Sequence, residues 1–144
     1  MAQLSVGSEY LAVPRVVIGE YEETLLPGRF SGAAKRLDIE TLALWRDTQF
    51  IDLLAQANIT DVFLGGAFLE EEILVTALEG ARRGYDIRIL SDLSVARFET
   101  DRCLVFERVA HHGIVATTVG QALLEWSVSL DDPVIIRRIR QLLS

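Results

Sequence analysis

Cysteine, basic charge and long apolar runs are all scarce in this chain. A single cysteine, Cys103, excludes an intrachain disulfide framework and a cysteine-based zinc cage. Fourteen Lys and Arg against 21 Asp and Glu give a net charge of −7, which opposes nonspecific attraction to phosphate backbones. Nucleic acid is therefore not an expected partner, although Arg137, Arg138 and Arg140 form a small basic cluster. Glycine or charge interrupts every apolar run well short of the ~20 residues that span a bilayer, so no membrane segment is expected. The first residues lack a basic segment followed by an apolar stretch and a cleavage site, which makes a cytoplasmic protein the expectation. There is no G-x-G-x-x-G, P-loop or G-x-S-x-G element, no metal-ligand cluster and no internal repeat, so neither a cofactor nor a metal is expected.

Hydrophobic residues, in contrast, make up 50% of the 144. The mean hydropathy of +0.28 is high for a small monomer and points to apolar surface buried between subunits, hence a homo-oligomer. The length suits one domain over 1–144 with a real core. From Thr48 onward, helical and strand patterns alternate at the spacing of a doubly wound α/β domain. Phe50, Ile51, Leu53, Leu54 and Ala57 predict a helix opened by Asp47 or Thr48, and Asp61 to Leu64 a strand. Leu69 to Arg83 predict a second helix, with Ile73, Leu74, Ala77, Leu78 and Ala81 in one stripe and Gly84 as its stop. Ile87 to Leu90 and Ile114 to Thr117 read as strands. Phe98 to Ala110 read as a helix with Phe106, Val109 and Ala110 inward, and Val119 to Trp126 as another. Strands separated by helices imply a parallel sheet with right-handed crossovers.

The ends are less regular. Residues 1–36 are expected to be irregular apart from a plausible strand at Val16 to Ile18, and Leu37 to Trp45 suit a further helix. Asp131, Asp132 and Pro133 open an amphipathic helix over 131–144. Its stripe of Ile135, Ile136, Ile139, Leu142 and Leu143 needs cover, which predicts contact with a second subunit or a protein partner.

Several segments share one order and spacing. Trp45-Arg-Asp-Thr-Gln-Phe50 comes first. Asp61-Val-Phe-Leu-Gly-Gly-Ala-Phe-Leu-Glu-Glu-Glu-Ile-Leu-Val-Thr-Ala follows as strand, glycine turn and helix. Gly84-Tyr85 then leads into Ile87-Arg-Ile-Leu-Ser-Asp92, and Ile114-Val-Ala-Thr-Thr118 closes the set. Together they resemble the isochorismatase-like cysteine hydrolases, from Trp45 to about Trp126. The family pattern is an apolar strand ending in Gly, six residues to a Cys, Val, two residues, Thr-Ala, then Arg-Gly-Tyr, a strand and Ser-Asp. The resemblance implies a three-layer α/β sandwich with a mostly parallel, Rossmann-like sheet, here shortened in its N-terminal half. It also implies a catalytic Cys, an Asp general base at the end of a first strand, and an orienting Lys.

Counting forward from Gly66 and back from Thr76 places the nucleophile position on Glu72. The nearest Lys is Lys35, and Glu20 follows Val16-Val-Ile-Gly near the Asp position. A carboxylate is a poorer nucleophile than a thiolate, so Glu72 cannot inherit the cysteine's role; it could only act as a general base towards water. Glu70, Glu71 and Glu72 are also what the first turn of a helix favours, because acids there complement its exposed N–H groups. Negative side chains in that turn disfavour an oxyanion-binding site. Trp45, Gly66 and Phe68 are candidate contacts for a small carboxylic or amide ligand, since open α/β sheets bind at the carboxyl ends of their strands. Trp45 also suits a core anchor. Cys103 is expected to be packed in its helix. The leading expectation is an isochorismatase-like domain that has lost hydrolysis and serves in binding, regulation or assembly. The alternative is a hydrolase of an amide, ester or enol-ether using Glu72 or Glu20 with Lys35.

Overall fold

The computed structural model describes residues 2–19 and 34–144. Along these residues run α1 (Ala2–Tyr10), β1 (Val16–Ile18), β2 (Lys35–Leu37), a 3-10 turn (Thr41–Arg46), α2 (Thr48–Gln56) and β3 (Asp61–Leu64). A π turn (Leu69–Ile73) leads into α3 (Leu74–Arg82), followed by β4 (Asp86–Leu90) and α4 (Glu99–Ala110). β5 (Val115–Thr117), α5 (Val119–Ser129) and α6 (Pro133–Leu143) complete the order. The fold is α/β with parallel strands, as expected. Two compact units form: Met1–Asp38 with Val119–Ser144, and Ile39–Thr118.

In the second unit β3, β4 and β5 make one parallel sheet, with Val62 beside Ile87 and Ile89 beside Ala116. Strand β4 is central, and its Ile87, Ile89 and Leu90 are buried, as an inner parallel strand requires. Helix α3 packs on β4 and on the 3-10 turn. There Gly80 lets Trp45 lie against the helix backbone, because a Cβ on Gly80 would come within 2.4 Å of the indole. Phe50 and Leu54 bury one stripe of α2, while Ala57 is exposed. The Asp47 carboxylate accepts from the Phe50 N–H at 3.1 Å and caps that helix.

Three further departures from the sequence reading concern single elements. Leu37 closes β2, and the 3-10 turn begins only at Thr41, where a helix from Leu37 was expected. In α4 the buried pair is Val105 and Val109, four residues apart; Ala110 is exposed and Phe106 only half-buried. Cys103 is exposed on the same helix rather than packed.

In the first unit β1 and β2 run parallel, Val16 beside Lys35 and Ile18 beside Leu37, so the plausible strand at Val16 is present. Residues 2–10, expected to be irregular, form α1. Its small residues explain both facts: Ser5, Gly7 and Ser8 carry no apolar stripe to read, yet they let α1 approach α5 closely. A Cβ on Gly7 would come within 2.5 Å of the Leu123 side chain. Helix α6 is capped as predicted, the Asp132 carboxylate accepting from Val134 N–H at 2.8 Å and from Ile135 N–H at 3.5 Å. This helix packs on α1 and α5 of its own chain, which fully bury Ile139. Ile135, Ile136, Leu142 and Leu143 remain half-buried, so the chain itself supplies part of the cover that the stripe needs.

Candidate functional site

Beyond the carboxyl ends of β3 and β4 the two strands continue as paired loops. Gly66 N–H donates to the Leu93 carbonyl at 2.8 Å, Val95 N–H to Ala67 at 3.1 Å, and Leu69 N–H to Val95 at 2.7 Å. This close approach needs Gly65, whose added Cβ would meet Leu93 Cβ at 3.0 Å, and Gly66, whose φ is +90°. Residues 67–72 and 93–98 therefore form one compact knot at the strand ends of the second unit.

The turn at its centre is wound more widely than an α-helix, Ile73 N–H reaching back five residues to the Phe68 carbonyl at 3.2 Å. Leu69 and Ile73 anchor it in the core. The three glutamates that follow Leu69 have three different fates. Glu70 accepts from the backbone N–H of Arg97 at 3.1 Å and of Phe98 at 3.2 Å, capping the approach to α4 from 27 and 28 residues away. The Arg97 N–H chiefly, with Glu70's own N–H and that of Phe98, holds the Glu70 carboxyl below its ordinary value. Glu71 accepts from Arg97 Nε at 2.8 Å, which holds the guanidinium above its ordinary value. That guanidinium lies over the Phe68 ring, 4.2 Å from its centroid. Glu72 differs from both: its Oε2 is sealed from solvent and has no hydrogen-bond partner among the described residues.

The expectation that all three acids serve their own helix N-terminus is thus corrected. Two of them fasten the turn to the loop before α4. A second arginine ties that loop to α4: Arg102 pairs with Glu99 at 2.9 Å and donates to the carbonyls of Ser91 and Ser94, each at 3.3 Å. Thr76, one helical turn after Glu72, is buried, and its Oγ1 also lacks a partner among the described residues.

The other sequence candidates fall as follows. Gly66 and Phe68 lie in the knot with Glu72. Trp45 is 4% exposed and donates its indole N–H to the Thr76 carbonyl at 2.8 Å. Phe50 and Tyr85 pack against it with ring centroids 5.2 and 5.1 Å away. It is a core anchor with its polar edge occupied. Lys35 is exposed at the start of β2, in the first unit, and Glu20 lies outside the described residues. Arg97 and Arg102 were missed by sequence reasoning. The available signal was a surplus of acids in one turn, which requires cations somewhere nearby. Among the described residues no group of three His, Cys, Asp or Glu could hold a metal ion, and no helix is long and apolar enough to cross a membrane.

Comparison with known proteins bears on this geometry. No family model matches the chain. Isochorismatase domain-containing protein 1 of Danio rerio is 26% identical over 140 residues, covering 91% of this chain and 48% of that protein. The chain thus spans about half the length of this curated relative. The MAR1 ribonuclease of Caenorhabditis elegans superposes with a TM-score of 0.78 at 20% identity, covering 97% of this chain and 74% of that one. The Escherichia coli YcaC gene product, described as an octameric hydrolase of unknown specificity, gives 0.74 at 17%, with the same coverage. The fold is isochorismatase-like. Within this isochorismatase-like domain, the strand, glycine turn and helix anticipated from Asp61 to Ala77 are β3, Gly65-Gly66, and the π turn with α3.

Proposed function

We propose that this isochorismatase-like domain has lost cysteine hydrolysis and acts as a binding, regulatory or assembly subunit. The observation that carries the reading is the state of the turn holding Glu72, the position that the family pattern gives to its nucleophile. Acyl chemistry at such a turn needs a thiolate and free N–H donors for the developing oxyanion. Here the nucleophile position carries a carboxylate, and the preceding Glu70 directs its own negative charge onto backbone N–H groups at the strand ends. An anionic intermediate would meet carboxylates where it needs donors. Assembly as a homo-oligomer is supported by the half-buried Ile135, Leu142 and Leu143 of α6 and by the octameric state of the E. coli neighbour.

A second reading rests on Glu72 Oε2. A sealed carboxylate oxygen without a partner is costly unless it serves something, and a general base acting on water is one such service. One experiment separates the two. The wild type, Glu72→Gln and Glu72→Cys are assayed against isochorismate, nicotinamide and simple amides, before and after alkylation of Cys103. We expect no turnover in any of them, Glu72→Cys included, because nucleophile, base and oxyanion donors act as a unit. Wild-type hydrolysis that disappears in Glu72→Gln, with the circular dichroism spectrum unchanged, would install the carboxylate hydrolase instead.

A further inference from the structure

We propose that one face of α6 docks an acidic, amphipathic segment of a partner protein. Pro133, Ile136, Arg137, Arg140, Gln141 and Ser144 line a shallow depression of about 450 Å³. They recur at steps of three and four residues, so they share one side of the helix along its length of roughly 16 Å. The floor is apolar at Pro133 and Ile136, and Leu130 and Val134, close in sequence, are more than half exposed. Across the floor stand two guanidinium groups, neither with a carboxylate partner among the described residues. Arg140 lies in the last turn, where a cation complements the helix dipole. Arg137 is mid-helix, and the dipole does not account for it.

The occupant follows from charge and polarity together. Arginines without a carboxylate partner among the described residues, in a chain of net charge −7, call for carboxylates, which their planar forks grip in pairs. The apolar floor calls for a Leu- or Val-sized side chain between those carboxylates. A nucleic-acid backbone would satisfy the arginines and leave the floor uncovered, while the net charge repels it. A second copy presenting the same face would set four arginines against one another, because an isologous interface repeats the patch on both sides.

The inference deepens the reading of the chain as a binding subunit. Its readout is peptide affinity and not turnover, so the two fail separately. Fluorescence polarisation of the full chain would use three labelled probes: a peptide alternating Glu and Leu, its Lys and Leu counterpart, and an oligouridylate. We expect saturable binding of the first alone, weakened by salt and reduced about tenfold or more in Arg137→Glu/Arg140→Glu. Arg137→Gln should fall between the two. Both variants change exposed side chains, and circular dichroism checks their fold. The proposal is overturned by absent saturation, by equal affinity in the charge-reversed variant, or by tighter binding of the oligouridylate. It is overturned equally if charge reversal dissolves an oligomer in light scattering while leaving peptide affinity unchanged, which would make the face a self-interface.

Discussion

The helix starts at Asp132 and at Leu69 obey different rules. At α6, Asp132 caps the helix and Pro133 takes its first position, so every group that defines the start lies within three residues. At the π turn no side chain caps the N-terminus, and two of the three acids that a local rule assigns to that task reach instead to residues 97 and 98. A locally defined start can be read from its own residues and tolerates change around it. A start defined by residues nearly thirty positions away is fixed by tertiary packing, and it coincides with the turn where the family pattern places its chemistry. Local rules fail there because contacts distant in sequence override them.

The largest test of this contrast is Leu69→Ala. Leu69 is fully buried at the head of the π turn, and truncation should cost ~2–5 kcal/mol in urea denaturation. Val134→Ala, at the exposed first turn of α6, should change stability by less than about 0.5 kcal/mol. Similar costs at the two positions would mean that packing does not distinguish the two starts. Asp132→Ala comes next. It removes the side-chain acceptor for two N–H groups and should cost ~0.5–2 kcal/mol, with the loss of helicity confined to α6. Hydrogen exchange would report where the loss falls; protection lost equally in α1 and α5 would show that the cap governs the whole first unit.

This contrast also explains what the sequence disclosed. The parallel order of β3, β4 and β5, the stop at Gly84 and the opening at Asp132 rest on period, glycine and capping, all of which act over a few residues. Helix α1 was hidden because its packing depends on small residues, which carry no hydrophobic period. The role of Arg97 was hidden because an ion pair to a residue 26 positions away leaves no spacing to count, and for Arg102 it was the reach to the Ser91 and Ser94 carbonyls that its i, i+3 pairing with Glu99 does not announce. In the turn itself, sequence alone put Glu72 in the first helical turn after β3 and said nothing of its environment. Its sealed Oε2 depends on how the π turn winds, and a turn of that kind has no composition of its own.

The smallest expected effect is also the one that most sharpens the comparison. Glu70→Gln removes the charge that accepts from the Arg97 and Phe98 N–H groups and leaves a neutral amide of nearly the same shape. Thermal unfolding near neutral pH should show a modestly lower midpoint than wild type, because a charged acceptor holds these N–H groups more strongly than an amide. The pH dependence identifies the cause. Those hydrogen bonds keep the carboxyl below its ordinary value of 4.5 in the folded chain. Its contribution is therefore complete above the unfolded value and is lost as the pH falls through the lower, folded value. The gap between wild type and Glu70→Gln should stay constant near neutrality and close as the solution is taken progressively below pH 4.5. A gap that persists unchanged at low pH would assign Glu70 a packing role. The turn would then be held by shape alone, and the long-range carboxylate cap that separates it from the start at Asp132 would carry no weight.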